Sequence, residues 1–67
     1  MIFTLKYKDK SEQKEIPNSN YTIKDLIIEM GLSTQTVVSK QNGELAIEDT
    51  VIEDGDEIQL IQIIYGG

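Results

Sequence analysis

Residues 21–32 have the sequence YTIKDLIIEMGL, which contains the signals for a complete α-helix. Thr22 followed by Asp25 resembles the capping box that begins many helices. Apolar side chains then recur three, four and seven residues apart, on one helical face, at Ile23, Leu26, Ile27 and Met30. Gly31 stands where a glycine commonly ends a helix. The stretch therefore predicts one short amphipathic helix that packs through its apolar side.

Two strands are predicted before this helix. Residues 1–7 alternate, with Phe3, Leu5 and Tyr7 on one side, and period two is typical of a strand with one buried face. Residues 8–13 are polar and predict a turn. Residues 14–16 then return as a second, antiparallel strand, which ends before Pro17 because proline cannot donate to a ladder.

Three strands are predicted after the helix. Asn42-Gly43, the strongest two-residue hairpin signal, joins a short β-branched strand at 36–41 to a brief return at 44–46. Residues 47–53 form a connection, with Val51 and Ile52 as its expected anchors in the core. The turn Asp54-Gly55-Asp56 leads into an isoleucine-rich last strand at 57–65.

The resulting order, β-β-α-β-β-β, predicts an α+β fold: a mixed sheet with a single helix packed on one face. The first and last strands are the most apolar, so we expect them side by side at the centre. They are parallel there, because a long crossover containing the helix joins them.

Composition limits both the size and the chemistry of the protein. The 67 residues form one domain, and 20 of them are Leu, Ile, Val or Phe, enough for a core. There is no cysteine and no histidine, so disulfides are excluded and a zinc site is not expected. The usual general base and thiol nucleophile are missing too. We therefore expect no catalytic residue and no metal, and a binding module, a carrier or a structural protein rather than an enzyme.

The charge is −6 and unevenly distributed. Residues 1–40 hold all six lysines and five acidic residues, whereas residues 41–67 hold seven acidic residues and no basic one. This balance disfavours nucleic acid and anionic membranes as partners. The acidic half is either a partner for a basic surface or a solvated face. We interpret its cluster of Glu48, Asp49, Glu53, Asp54 and Asp56 as a solvated rim, because its spacing is not that of a calcium loop.

Location is inferred from two missing signals. The chain start is too short an apolar run for a signal peptide, and no run approaches the length of a membrane span. We expect a cytoplasmic protein.

The last strand predicts a partner-binding face. Ile58 and Leu60 share one side, which we assign to the core under the helix. The alternate side carries Ile61, Ile63 and Tyr65, and a one-helix domain has little left to cover it. With Ile2 from the neighbouring strand, these residues predict an exposed apolar patch of the kind that marks partner sites. The alternatives are that this face curls over itself or is buried in a homodimer.

The chain finishes at Gly66-Gly67, directly after this apolar strand. Residues 54–67, DGDEIQLIQIIYGG, resemble the C-terminal segment of ubiquitin-fold sulfur carriers, above all the thiamine-biosynthesis sulfur carriers. The molybdopterin-synthase small subunit and the small archaeal modifier proteins are related. The resemblance covers the whole chain in length and element order. It implies a β-grasp, ubiquitin-like domain over residues 1–65 and a flexible Gly-Gly tail over 66–67.

The resemblance also implies a role for each end residue. Gly67 is the residue that reacts, through its terminal carboxylate, and Gly66 keeps the tail slim enough for a narrow channel. An E1-like adenylating enzyme couples the carboxylate to AMP, using ATP and magnesium that belong to that partner. A sulfur donor protein then supplies sulfur for a thiocarboxylate, and a sulfur-accepting synthase consumes it. Ile61, Ile63 and Tyr65 become docking residues.

Two alternatives remain beside the sulfur carrier. A protein modifier of the same fold reaches the same adenylate, but a lysine amine then attacks Gly67 and forms an isopeptide bond. A non-covalent interaction domain uses only the acidic half and the apolar face, so loss of Gly66-Gly67 leaves its function intact. The resemblance does not identify the pathway.

Overall fold

The computed structural model of the protein describes residues 1–63. Five strands and one helix follow one another in the predicted order: β1 (Ile2–Tyr7), β2 (Lys10–Glu15), α1 (Ile23–Glu29), β3 (Val37–Gln41), β4 (Glu44–Ala46) and β5 (Glu57–Gln62). The strands form one mixed sheet in the order β2-β1-β5-β3-β4. The predicted α+β architecture is confirmed.

The centre of the sheet is the pair of strands with the most apolar sequences. β1 and β5 run parallel, with register pairs from Thr4–Glu57 to Tyr7–Leu60. On its other side β5 runs antiparallel to β3. β5 therefore has a neighbour on both edges, and the long crossover through α1 makes the parallel pairing possible, as predicted.

Helix α1 begins and ends at the predicted residues. The Thr22 hydroxyl accepts a hydrogen bond from the Asp25 backbone N–H at 3.2 Å, and the Asp25 carboxylate accepts one from the Thr22 N–H at 3.1 Å. At the other end Gly31 has φ +76°, and the N–H groups of Gly31 and Leu32 donate to the carbonyls of Ile28 and Ile27. This is a Schellman ending, which the positive φ of glycine permits.

The core lies between α1 and the sheet face that it covers. Its buried apolar side chains come from the helix, from its N-terminal flank, from alternate strand positions and, for Ile52, from the connection before β5: Phe3, Leu5, Tyr21, Ile23, Leu26, Ile27, Val37, Ile52, Ile58 and Leu60. The rings of Phe3 and Tyr21 lie 6.3 Å apart, and the Tyr21 hydroxyl donates to Glu29 at 2.6 Å. Burial, followed by the bond to Glu29, raises the pKa of Tyr21.

Both hairpin turns contain two residues. Asn42 and Gly43 have φ of +53° and +87°, which suits the twist of β3 and β4 and confirms the predicted turn. The first hairpin differs from the prediction, because its turn is only Lys8 and Asp9 and β2 already begins at Lys10. Residues 10–15 form an edge strand that is exposed almost throughout, so no apolar alternation marks its start.

Two further predictions, one about a core residue and one about the end of the last strand, differ from the structure. Ile52 is buried as expected, but Val51 is 41% exposed; its backbone forms an isolated bridge to Thr22, and its carbonyl accepts a hydrogen bond from the Gln41 side chain at 3.3 Å. Only one of two adjacent residues in an extended segment can face the core, and Ile52 takes that place. The last strand ends at Gln62. Residues 64 and 65, which we assigned to it, lie outside the described residues. Within residues 1–63, no helix has the length and apolar character needed to cross a membrane.

Candidate docking face and C-terminal end

Strand β5 separates the core from an open sheet face, as its alternation predicts. Ile58 and Leu60 are buried beneath α1, whereas Ile61 and Ile63 are 39% and 36% exposed. Each side chain alternates across the sheet, so the exposed pair lies on the face opposite the helix. The predicted positions of Ile61 and Ile63 on the face away from the helix are therefore confirmed.

The register of the sheet places two more apolar residues near Ile61. Val38 of β3 lies directly opposite Ile61. Lys40 is the next residue of β3 on the same face as Val38, and Leu45 of β4 lies opposite Lys40. Leu45 is 74% exposed. We call the set Val38, Leu45, Ile61 and Ile63 the outer patch. It offers apolar side chains from three neighbouring strands to a partner.

Ile2 does not belong to the outer patch, although its side chain is 43% exposed. Thr4 pairs with Glu57 in the parallel ladder, and Ile2 lies two residues before that pair, whereas Ile61 lies four residues after it. At the rise per residue of a strand, these six residues separate Ile2 from Ile61 by roughly 20 Å along the sheet. Between them the Lys6 ammonium lies 3.4 Å from the Glu57 carboxylate. The predicted contribution of Ile2 is wrong, because the parallel register could not be read from the sequence.

The far end of β5 is held from both neighbouring strands. The Ile63 N–H donates to the Thr36 carbonyl at 2.7 Å, which extends the β3 side of the ladder. On the β1 side the Tyr7 hydroxyl donates to Gln62 Oε1 at 3.0 Å. The Lys8 ammonium lies 5.5 Å from the centre of the Tyr7 ring. These bonds fix the last described residues before the C-terminal segment.

The near end of β5 is tied to the β3–β4 turn through Asp56. Its carboxylate accepts hydrogen bonds from the side-chain amides of Gln41 and Asn42 and from the Glu53 N–H, at 2.7, 3.0 and 2.8 Å. Burial alone would raise the pKa of Asp56, but these three bonds outweigh it and hold the pKa below its usual value. Asp56 is therefore ionised at neutral pH, and its hydrogen bonds hold the start of β5 to the end of β3 and to the β3–β4 turn.

The predicted acidic rim is partly structural. Besides Asp56, the Asp54 carboxylate accepts the Ile2 N–H at 2.8 Å. Among residues 1–63, no group of three or more acidic, His or Cys side chains is arranged to hold a metal ion. Both bonded aspartates join β1 or β3 to the turn before β5, so they help to place that strand.

The remaining site predictions concern Tyr65, Gly66 and Gly67, which lie outside the described residues. The chemistry available at that end still follows from the sequence. The chain has no thiol, so sulfur cannot be carried on a side chain as a persulfide. The terminal carboxylate is a poor electrophile until it is activated by a good leaving group. Of the candidate site, the described residues comprise the outer patch.

The chain is similar to known proteins both in sequence and in fold. The model of the ThiS family matches residues 2–67. Among solved structures, the chain is similar to SAMP1 from Haloferax volcanii, with a TM-score of 0.73, 15% identity and complete coverage of both chains. It is similar to the thiamine biosynthesis protein ThiS from Geobacter metallireducens, with a TM-score of 0.64, 19% identity and coverage of 96% and 99%.

A third similar structure is a ubiquitin-like protein from Caldiarchaeum subterraneum, with a TM-score of 0.65 and 17% identity over 98% of this chain and all of that one. At these identities the structural matches show the fold, which is the ubiquitin-like β-grasp. The predicted fold is confirmed.

Sequence reasoning missed Val38 and Leu45 as members of the outer patch. The signal that could have found them is the Asn42-Gly43 turn, because a two-residue hairpin fixes which side of β4 matches which side of β3. The order of the strands was also needed, since only the pairing of β3 with β5 brings Val38 beside Ile61.

Proposed function

We propose that this chain, which belongs to the ThiS family, is a ubiquitin-like sulfur carrier whose C-terminal Gly67 is adenylated and converted to a thiocarboxylate. The observation that carries the proposal is the course of β5. One side of this strand is fixed in the core, and the other presents Ile61 and Ile63 on the way to Gly66-Gly67. A partner that binds the outer patch is thus brought close to the chain end.

The proposed chemistry takes place in two steps. The Gly67 carboxylate attacks the α-phosphorus of ATP, which forms the acyl-adenylate and releases pyrophosphate. A hydrosulfide equivalent from a sulfur donor then attacks the acyl carbon. The carbon–sulfur bond forms, the bond to the AMP oxygen breaks, and AMP leaves with its electron pair. If the donor sulfur is a persulfide, a second thiol must cleave the sulfur–sulfur bond.

Under this proposal the chain is a substrate and not an enzyme. ATP and magnesium are bound by an E1-like adenylating partner, which supplies the catalytic side chains. Val38 and Ile61 contribute to docking, together with Ile63 and Tyr65. Gly66 carries no side chain, so the backbone can enter a narrow channel. A sulfur-accepting synthase, in thiamine thiazole formation or a related pathway, consumes the thiocarboxylate.

Activation can be tested by the release of pyrophosphate. The protein is incubated with ATP, magnesium and the adenylating enzyme of its host. We expect release that depends on the full chain and is lost when Gly67 is deleted. The control is a full-length variant changed outside the outer patch. Thr4→Ser meets this need, since Thr4 lies on β1 away from the outer patch. Gly55→Ala does not, because Gly55 has φ +86° and its replacement strains the fold. Equal release from the full and shortened chains would contradict the proposal.

The protein modifier remains the second candidate, because it shares the same adenylate. In that case the amine of a target lysine replaces sulfur as the nucleophile, and an amide bond forms as AMP leaves. The two outcomes differ in their products. A carrier gains one sulfur in exchange for one oxygen, whereas a modifier becomes part of a heavier covalent conjugate.

A further inference from the structure

We propose that Tyr7 is a positioning residue for the C-terminal segment, acting through its hydrogen bond to Gln62. This inference rests on the proposed function, because it concerns how the chain end is presented to the adenylating partner. It does not assign Tyr7 any contact with ATP or with the reacting carboxylate.

Among residues 1–63, no strand pairs with the end of β5 on its β1 side. The parallel pairing with β1 stops at Tyr7–Leu60, because β1 turns away at Lys8, which has φ +56°. A cavity of about 350 Å³, lined by Tyr7, Lys8 and residues 59–62, lies beside the last residues of β5. Ile61 and Gln62 therefore pair in the sheet with β3 alone.

The Tyr7 hydroxyl spans this open side. Its bond to Gln62 Oε1 is 3.0 Å long and connects residues that are 55 positions apart. The Tyr7 ring packs against the core cluster, and this contact restricts the position of its hydroxyl group. Within residues 1–63, this is the side-chain hydrogen bond that joins β1 to the end of β5.

The position of this bond makes it relevant to the tail. Gln62 is followed by five residues, which span at most about 17 Å when fully extended. Gln62 and Ile63 are the last described residues before this segment, so their placement sets where the segment leaves the sheet. Holding Gln62 from the β1 side reduces the range of directions that a partner must select from, which lowers the entropy cost of binding.

The test uses the Tyr7→Phe variant, which removes only the hydroxyl. Tyr21→Phe is the matched control, because it also removes a tyrosine hydroxyl with a side-chain acceptor, Glu29, but at helix α1. Thermal melts establish that both variants are folded. Two quantities are then measured: the exchange rate of the Ile63 amide hydrogen, and KM and kcat for chain-dependent ATP–pyrophosphate exchange.

We expect Tyr7→Phe to raise the exchange rate of the Ile63 amide and the KM by about two- to tenfold, the ordinary net effect of one hydrogen bond. The kcat stays unchanged, because the bound tail has the same geometry at saturation. Gln62→Met, which removes the acceptor, has the same effect, and the double variant is no worse than either single one. Tyr21→Phe changes neither quantity.

Three results would overturn the inference. The first is an Ile63 exchange rate that Tyr7→Phe leaves unchanged, which means that the bond does not hold the strand end. The second is faster exchange without a change in KM, which means that the bond is structural only. The third is an equal rise in KM for Tyr21→Phe. Failure of the proposed function looks different, because the wild-type chain itself then shows no pyrophosphate exchange.

Discussion

Ile58 and Ile61 lie three residues apart on β5 but on opposite faces of the sheet, one fully buried beneath the helix and the other 39% exposed. The odd spacing produces this division, since strand side chains alternate with period two. The same strand thus anchors the domain and forms the surface proposed for docking, so substitutions at these two positions should have different consequences.

Replacing Ile61 with Asp is expected to weaken binding to the adenylating partner about tenfold or more, because a charge is placed within an apolar contact. The free energy of unfolding should fall by only about 1 kcal/mol, since Ile61 is partly exposed. Ile2→Asp is the matched control, with similar exposure at the other end of the sheet. Affinity is measured by titration calorimetry. Equal losses of affinity for the two variants would show that the outer patch is not the surface that binds the partner.

Replacing Ile58 with Ala is expected to destabilise the fold by about 2–5 kcal/mol, because a fully buried side chain leaves a cavity in the core. Urea denaturation gives the free energy of unfolding directly. A loss below about 1 kcal/mol would show that the helix closes over the gap or that Ile58 is not the core residue described here.

Asp56→Asn is expected to lower the free energy of unfolding at pH 7 by about 1–3 kcal/mol, because an amide cannot replace a carboxylate that accepts from three donors. The pKa of Asp56 is lowered in the folded state, so its contribution is fully present above the usual value of about 4. It is lost as the pH falls through the lower, folded-state pKa.

Urea denaturation between pH 2 and pH 7 measures this dependence, with the exposed Asp49 as the control position for the same change. The difference between wild type and Asp56→Asn should shrink on acidification, and at pH 7 it should exceed the difference between wild type and Asp49→Asn. A constant difference at all pH values would mean that the charge of Asp56 plays no part.

Gly31→Ala is expected to destabilise the protein by about 1 kcal/mol, because φ is +76° while no atom lies close enough to obstruct a β-carbon. The cost is therefore conformational. Gly31→Asn should recover part of it, since asparagine tolerates this region better than alanine. Thermal melts of the two variants should rank in that order, and the reverse order would point to a steric cause.

The sequence was most informative where a single residue type is required by the backbone. Gly31 and Asn42-Gly43 predicted a helix ending and a turn that the structure confirms, because few residues adopt positive φ. The order of the elements then predicted the β-grasp sheet with its central parallel pair. The start of β2 at Lys10 was not predictable, since an exposed edge strand needs no apolar alternation.

The candidate site was predicted only in part, for a similar reason. Alternation along β5 identified Ile61 and Ile63, which depend on one strand alone. The exclusion of Ile2 and the inclusion of Val38 depend on register between strands that are distant in sequence. The roles of Tyr65, Gly66 and Gly67 remain predictions.

Deleting Gly67 is expected to leave the melting temperature unchanged, because every residue of the described core lies between Phe3 and Leu60. A marked fall in the melting temperature would mean that the chain end contributes to the fold. The shortened chain is then no longer a clean control for activation.

Formation of a thiocarboxylate at Gly67 is tested most directly by the intact mass of the protein after incubation with ATP, magnesium, sulfide and the adenylating enzyme of its host. We expect a gain equal to the exchange of one oxygen for one sulfur, absent from the Gly67-deleted chain. An unchanged mass, with the enzyme active on another carrier, would contradict it. A much larger gain from covalent attachment to another protein would instead identify the chain as a modifier.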